Sequence, residues 1–193
     1  MRWNVQRVVA LLLLLACSVG FGFAFDAVAT SVEQRQHPRP TEWSILIEEN
    51  AARYGIPEMV LWAIVNEGSG FSSNATSKSG KIGLMQLSPA EFEQIALELF
   101  AIDSPDPRLL YDPATNLQYG TAWLSHLYET YGIWELAYAA YFAGADTVDG
   151  WLSDPSLLDE QGILKQIPDP ETEAYVNRIQ NAVELYRKLY YTP

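Results

Sequence analysis

Proline and glycine cut residues 41–190 into helix-length pieces, and this punctuation constrains the fold more than any other feature of the chain. Thr41 is placed to cap a helix running to about Tyr54, with Gly55 as its C-terminal stop. Pro57, at a first-turn position, opens a second helix over Pro57–Asn66. Ser88-Pro89 opens a third that reaches roughly Ala101, and Asp112-Pro113 a fourth to about Tyr131, stopped by Gly132. Ile133–Ala143 is short and nearly all apolar, which predicts a central, buried helix. A last helix runs from Glu171 to about Tyr190. Two stretches resist helix: Ser69–Leu87, rich in Gly, Ser, Asn and Thr, and Ser153–Pro170, which holds three prolines. No period-2 series and no internal repeat is visible. The expected fold class is therefore all-α, over residues 41–190, with a small Gly/Ser-rich hairpin or loop excursion at about 69–87.

Charge and cysteine usage narrow the function classes. Arg2 and Arg7 precede the first acid, Asp26, so residues 26–193 carry 10 basic and 24 acidic side chains, a net of −14. Such an excess repels phosphate backbones and predicts no nucleic-acid partner. The lone cysteine, Cys17, offers no disulfide framework and no cysteine zinc cluster. The two histidines, His37 and His126, are too few and too far apart in sequence to point to a metal site. With 49% hydrophobic residues, the chain can bury a core of its own.

The first residues concern address. MRWNVQR carries two arginines and no acid, and an apolar stretch from Val8 to Phe25 follows. A positive flank before an apolar core is the pattern of an export signal. At 18 residues the stretch sits at the short edge of what spans a bilayer, so a cleaved signal and a retained anchor are both open. Ala27-Val28-Ala29 resembles a small-x-small cleavage site, and Leu14-Leu15-Ala16-Cys17 a lipoprotein box that would put a lipid on Cys17. Residues 1–29 are thus expected to be a signal peptide or membrane anchor and to engage the membrane, with the remainder exported to the periplasm or cell envelope. Residues 30–40, polar and with two prolines, read as a linker in which His37 has no chemical role.

One acidic residue is out of place. Val60, Ile64 and Glu67 fall at i, i+4 and i+7, so a carboxyl projects from the same face as apolar side chains. Carboxyls desolvated by apolar neighbours hold their protons to higher pH, which is what a general acid acting on a leaving oxygen requires. An average helix-end glutamate is simply exposed, but the residues that follow Glu67 change its reading.

Glu67–Pro89 reads EGSGFSSNATSKSGKIGLMQLSP. The matching positions are Phe71, Asn74-Ala75-x-Ser77, Gly80, Gly83-Leu84-Met85-Gln86 and Pro89. Asp112-Pro113-x-x-Asn116-Leu117-x-x-Gly120, Ala140-Tyr141-Phe142-Ala143-Gly144, and Ile167-Pro168 with Glu171-Thr172-x-x-Tyr175-Val176 follow in order. This ordered set strongly resembles the soluble-type lytic transglycosylases (the SLT domain), relatives of goose-type lysozyme. The resemblance implies a lysozyme-like α fold and cleavage of peptidoglycan glycan strands between N-acetylmuramic acid and N-acetylglucosamine, without metal or cofactor, by the single domain of a monomer. It implies that Glu67 protonates the glycosidic oxygen and then takes the proton of the same sugar's C6 hydroxyl, leaving a 1,6-anhydro product. It further implies that Ser77 and Gln86 contact sugar groups, that Tyr141 hydrogen-bonds and orients Glu67, and that Glu171 lines the cleft. The residues themselves agree in part: Gly80 and Gly83 permit close backbone approach, and Gln86 offers a donor and an acceptor to an acetamido group.

The chain departs from the family pattern at three positions. Gly68 looks like an insertion between Glu67 and Phe71, Phe142 replaces an asparagine, and Ser88 stands where a bulkier apolar residue is usual. Two other functions stay open beside transglycosylation. A lysozyme-type hydrolase would need a second carboxylate, with Asp146, Asp149 and Glu91 as candidates. A glycan-binding module that lost its chemistry would draw on Gly68 and Phe142. Trp62, Trp123, Trp134 and Trp151 read as core, with a sugar-stacking cleft as the alternative.

Overall fold

The computed structural model describes residues 28–192. The apolar stretch, its arginine flank and Cys17 lie outside the described residues. Residues 28–36 are helical, although the sequence predicts no helix there. The segment TSVEQRQ contains neither Gly nor Pro, and Pro38 and Pro40 stand just beyond its end.

The packed unit is Arg39–Pro193. Its helices are α1 (Thr41–Tyr54), α2 (Glu58–Ser69), α3 (Pro89–Phe100), α4 (Pro113–Tyr131), α5 (Trp134–Ala143), α6 (Ala145–Leu152) and α7 (Pro170–Tyr190), with a 3-10 turn at Pro107–Tyr111. Most boundaries follow the punctuation. Gly55 and Gly132 adopt left-handed conformations that end α1 and α4. Ser88 caps α3 in a reciprocal box: its Oγ accepts from the Glu91 amide at 3.2 Å, and its amide donates to Glu91 Oε2 at 2.7 Å. That cap gives a local reason for a serine at position 88. Asp112 and Asp169 cap α4 and α7 through the amides of Thr115 and Thr172.

Three boundaries differ from the expectation. Thr41 lies inside α1 and makes no capping bond; Pro40, held extended, occupies the cap position. Pro57 is likewise the cap of α2 and not its first residue. More consequentially, α2 runs on to Ser69, because one internal glycine costs a helix only about 1 kcal/mol and the left-handed Gly70 supplies the stop. Glu67 and Gly68 therefore sit in the last helical turn. Helix α6 and the 3-10 turn carry no strong sequence signal and were not expected.

Helix α5 is the buried centre, as its composition predicts: Leu136 to Tyr141 are all core residues. It packs against α4, α6 and α7, while α2 lies along α7. Trp62 of α2 is fully buried beside Phe71 and Tyr186, their ring centroids 5.8 and 6.5 Å away. Arg39 closes this side, with its guanidinium 4.9 Å from the Trp62 ring centre and 3.4 Å from Glu58 Oε2. Residues 70–88 form the predicted excursion, tied by isolated antiparallel bridges Thr76–Ile82 and Ile82–Leu87.

Candidate active site

The excursion is folded back on the helices by one buried side chain. Asn116 on α4 is fully inaccessible; its Oδ1 accepts from the Met85 amide at 2.7 Å, and its Nδ2 donates to the carbonyls of Ile82 and Leu110, both at 2.9 Å. The left-handed Gly83 sits so close that a Cβ there would lie 2.2 Å from Asn116 Nδ2 and 2.4 Å from the Leu110 carbonyl. Glycine is thus required at 83 both for its φ of 79° and for space.

Tyr141 on α5 holds the next peptide. Its hydroxyl donates to the Met85 carbonyl at 2.9 Å, and Tyr141 is 4% exposed. This corrects the orienting role that the family resemblance assigns to it: the hydroxyl serves the Met85 carbonyl and not the Glu67 carboxylate. Burial pushes the phenol well above its ordinary value, so it stays a donor at neutral pH. With Asn116 on the Met85 amide and Tyr141 on its carbonyl, both polar groups of this residue are fixed by side chains from different helices.

Gln86 follows in a left-handed conformation with φ 55°, unusual for a side chain of this size. Its Nε2 donates to the Gly83 carbonyl at 2.8 Å. Gly68 matters here, since a Cβ at that position would come 3.3 Å from Gln86 Cγ. The apparent insertion after Glu67 leaves room for Gln86 against the end of α2.

Glu67, Ser77, Gln86, Tyr141 and Glu171 all line one groove of about 390 Å³, together with Phe142, Tyr175 and Arg178. Val60 and Ile64 are in the core, yet the Glu67 side chain keeps 26% of its exposure. The apolar enclosure expected for this carboxyl is not present; α2 delivers it to the groove rim, with Arg178 Nε 3.9 Å from Oε2. Ser77 Oγ accepts from the Lys81 amide at 3.0 Å and lies 2.9 Å from Ser79 Oγ, fixing the turn around Gly80. Glu171 projects from the first turn of α7. Among the described residues, the aromatic groups of the groove are Tyr141, Phe142 and Tyr175, none of them a tryptophan. Phe142 stacks on Tyr175 with ring centroids 4.5 Å apart and planes 20° apart, so that the two rings form an aromatic wall of the groove. His126 stacks on Trp123 at 5.3 Å and is absent from the groove lining.

Arg178 escaped the sequence reading, though a signal was there. Glu171, Tyr175 and Arg178 are spaced i, i+4 and i+7, the same one-face pattern that singles out Glu67 on α2.

Residues 45–162 match the family model described as Transglycosylase SLT domain. The chain belongs to this family. It is 29% identical over 151 residues to the soluble lytic murein transglycosylase of Escherichia coli (strain K12), covering 77% of this chain and 23% of that protein. It is 33% identical over 105 residues to membrane-bound lytic murein transglycosylase C of Yersinia pestis (strain Pestoides F), covering 54% of this chain and 28% of that one. The crystal structure of the 70 kDa soluble lytic transglycosylase from Escherichia coli superimposes with a TM-score of 0.70 at 28% identity, over 81% of this chain and 25% of that chain. This SLT chain thus has the all-α, lysozyme-like fold, and it spans about a quarter of the length of the relatives it matches.

Proposed function

We propose that this SLT-family chain is a lytic transglycosylase that cleaves peptidoglycan glycan strands between N-acetylmuramic acid and N-acetylglucosamine. What carries the reading is Glu67, delivered by the last turn of α2 into the same groove as Ser77, Gln86 and Glu171. In this reaction Glu67 donates its proton to the glycosidic oxygen as the C–O bond breaks. The carboxylate then accepts the C6 hydroxyl proton as that oxygen bonds to the anomeric carbon of the same sugar, and no water is consumed. The substrate's acetamido group stabilises the positive charge that develops at the anomeric carbon. Gln86 and Ser77 bind sugar polar groups, and Glu171 borders the strand.

Hydrolysis is the second reading, and the proposed second carboxylates are poorly available for it. Glu91 is bound by Lys81 Nζ at 2.8 Å and by the Ser88 amide, Asp149 accepts from the Tyr131 hydroxyl at 2.8 Å, and Asp146 borders a different cavity. Glu171, in the groove itself, is the carboxylate that favours it. Mass spectrometry of digested peptidoglycan separates the two, since anhydro and reducing ends differ by one water. Glu67→Gln keeps the shape but cannot shuttle a proton; turnover should fall by a factor of about 10²–10⁴ or more while the fold is unchanged. Wild-type turnover in that variant would remove Glu67 from the mechanism.

The same reading places the protein outside the cytoplasm, in the envelope, as a monomer whose catalytic domain spans 41–190. Residues 1–29 would serve as signal or anchor and 30–40 as linker. Among the described residues no helix is long and apolar enough to cross a membrane, so any anchoring falls to the segment before residue 28. Fractionation of the full chain with and without Cys17→Ala tests lipidation, because only a lipoprotein needs that thiol.

A further inference from the structure

Two cations line the groove, and they differ in how far they are committed. Lys81 Nζ lies 2.8 Å from Glu91 Oε1, with both side chains about three-quarters covered at 22% and 26% exposure. That pair is short, partly shielded and internal. Arg178 keeps 56% of its side-chain exposure, and its Nε stands 3.9 Å from Glu67 Oε2, beyond hydrogen-bonding distance. Its guanidinium carbon lies 6.0 Å from the Tyr175 ring centre, at the outer limit of a cation–π contact. Tyr175 is in turn backed by Phe142, stacked on it at 4.5 Å. The arginine therefore stands beside the aromatic wall of the groove, while its planar, five-donor fork remains largely unspent.

The surroundings make this placement informative. Residues 26–193 carry a net of −14, and two carboxylates, Glu67 and Glu171, border the same groove. With the Lys81 charge balanced by Glu91, the cation that faces an anionic group entering there is Arg178. The strand proposed as substrate bears such groups beside the scissile bond. The lactyl arm of N-acetylmuramic acid ends in a carboxyl, free on peptide-free strands, and a stem peptide attached to it carries carboxylates of its own.

We propose that Arg178 reads a carboxylate on the muramic-acid side chain, through the guanidinium fork, and so makes the groove selective for anionic strands. This rests on the transglycosylase reading but adds a specificity determinant to it. It also gives the Phe142 substitution a purpose: the aromatic ring supports Tyr175, and Tyr175 supports the arginine.

Four substrates test the proposal with the full chain: peptide-free strands and peptide-bearing strands, each with free and with amidated carboxyls. Arg178→Gln should raise KM about three- to tenfold on strands that keep the recognised carboxylate, with kcat nearly unchanged. It should have no effect on amidated strands, and amidation should raise the wild-type KM by the same factor. Arg178→Lys should restore part of the loss. A KM effect on peptide-free strands assigns the contact to the lactyl carboxylate; an effect confined to peptide-bearing strands assigns it to the stem. The proposal is overturned by equal KM changes on native and amidated strands of both classes, by no change on any, or by a fall in kcat at constant KM, which would make Arg178 a positioning residue for Glu67. If wild type cleaves none of the four, the transglycosylase reading fails by itself. Calorimetric binding of the same strands to wild type and Arg178→Gln then decides carboxylate recognition by the same criterion of a loss confined to unamidated strands.

Discussion

Tyr141→Phe separates two accounts of one hydroxyl by a measurement that involves no substrate. The variant removes a single oxygen from a residue that is 4% exposed, and it leaves the ring in place, so no sizeable cavity has to be counted. What is lost is the donor to the Met85 carbonyl, 2.9 Å away, on a residue that is itself 1% exposed. Water has poor access to that carbonyl, so it is left unpaired at a cost of about 1–3 kcal/mol. In a unit the size of Arg39–Pro193, each kcal/mol moves Tm by about 2–4 °C, which predicts a drop of roughly 2–12 °C. Turnover should also fall, because the freed Met85–Gln86 peptide no longer fixes Gln86, but KM should carry most of the change. The alternative, an orienting bond to Glu67, predicts the reverse: an unmoved Tm and a fall confined to kcat. Thermal unfolding followed by circular dichroism, with anhydro-product assays on the same preparations, gives both numbers. A Tm within one degree of wild type, within roughly the error of such a scan, would refute the structural account of Tyr141.

Asn116→Ala should cost more, about 3–5 kcal/mol by urea unfolding, because it strands the Met85 amide and the Ile82 and Leu110 carbonyls at once. Combined with Tyr141→Phe, it should be non-additive by at least about 0.5 kcal/mol, since both act on Met85. Gln86→Gly should leave stability near wild type while turnover falls. Relief of the left-handed strain, about 1–2 kcal/mol, is offset by glycine's chain entropy and the lost bond to the Gly83 carbonyl. Above about pH 10 stability should decline steeply. Burial raises the buried phenols of Tyr138, Tyr141 and Tyr186, so the folded chain keeps protons that the unfolded chain releases. Their contribution is fully present below the unfolded value and lost above it, by about 1.4 kcal/mol per tyrosine at one pH unit beyond that value. Urea unfolding at stepped alkaline pH checks the slope.

The helices were legible because their ends are written locally. A capping carboxylate or hydroxyl, a proline in the first turn and a glycine past the last need no knowledge of the rest of the chain, and Asp112-Pro113, Ser88-Pro89, Gly55 and Gly132 all act as such signals do. Where the reading slipped, two local rules competed. Gly68 looks like a helix breaker, but Gly70, two residues later, offers a better left-handed stop, and the helix takes the second. Helix α6 shows the opposite limit. ADTVDGWL buries only Val148 fully and holds a glycine, so its helicity comes from tertiary packing against α5, which no local pattern encodes.

At the groove the limit is of another kind. Motif order picked out residues that face one another across more than a hundred positions, from Glu67 to Glu171, because a site needs particular functional groups in particular places. Which atom each group bonds depends on the last ångström of packing. Tyr141 and Glu67 line the same groove, and a sequence cannot distinguish a hydroxyl aimed at the carboxylate from one aimed at a backbone carbonyl. Satisfaction of buried groups decides it. The Met85 carbonyl is enclosed and needs a donor, whereas the Glu67 carboxylate has access to water and to Arg178. The tyrosine therefore goes to the group that would lose most without it. The same logic assigns Asn116, whose amide meets one donor and one acceptor of the loop and the Leu110 carbonyl of the 3-10 turn, to holding the backbone that presents Gln86. In this groove the enclosed side chains build the loop, and the more exposed ones, Glu67, Gln86 and Arg178, face its open space.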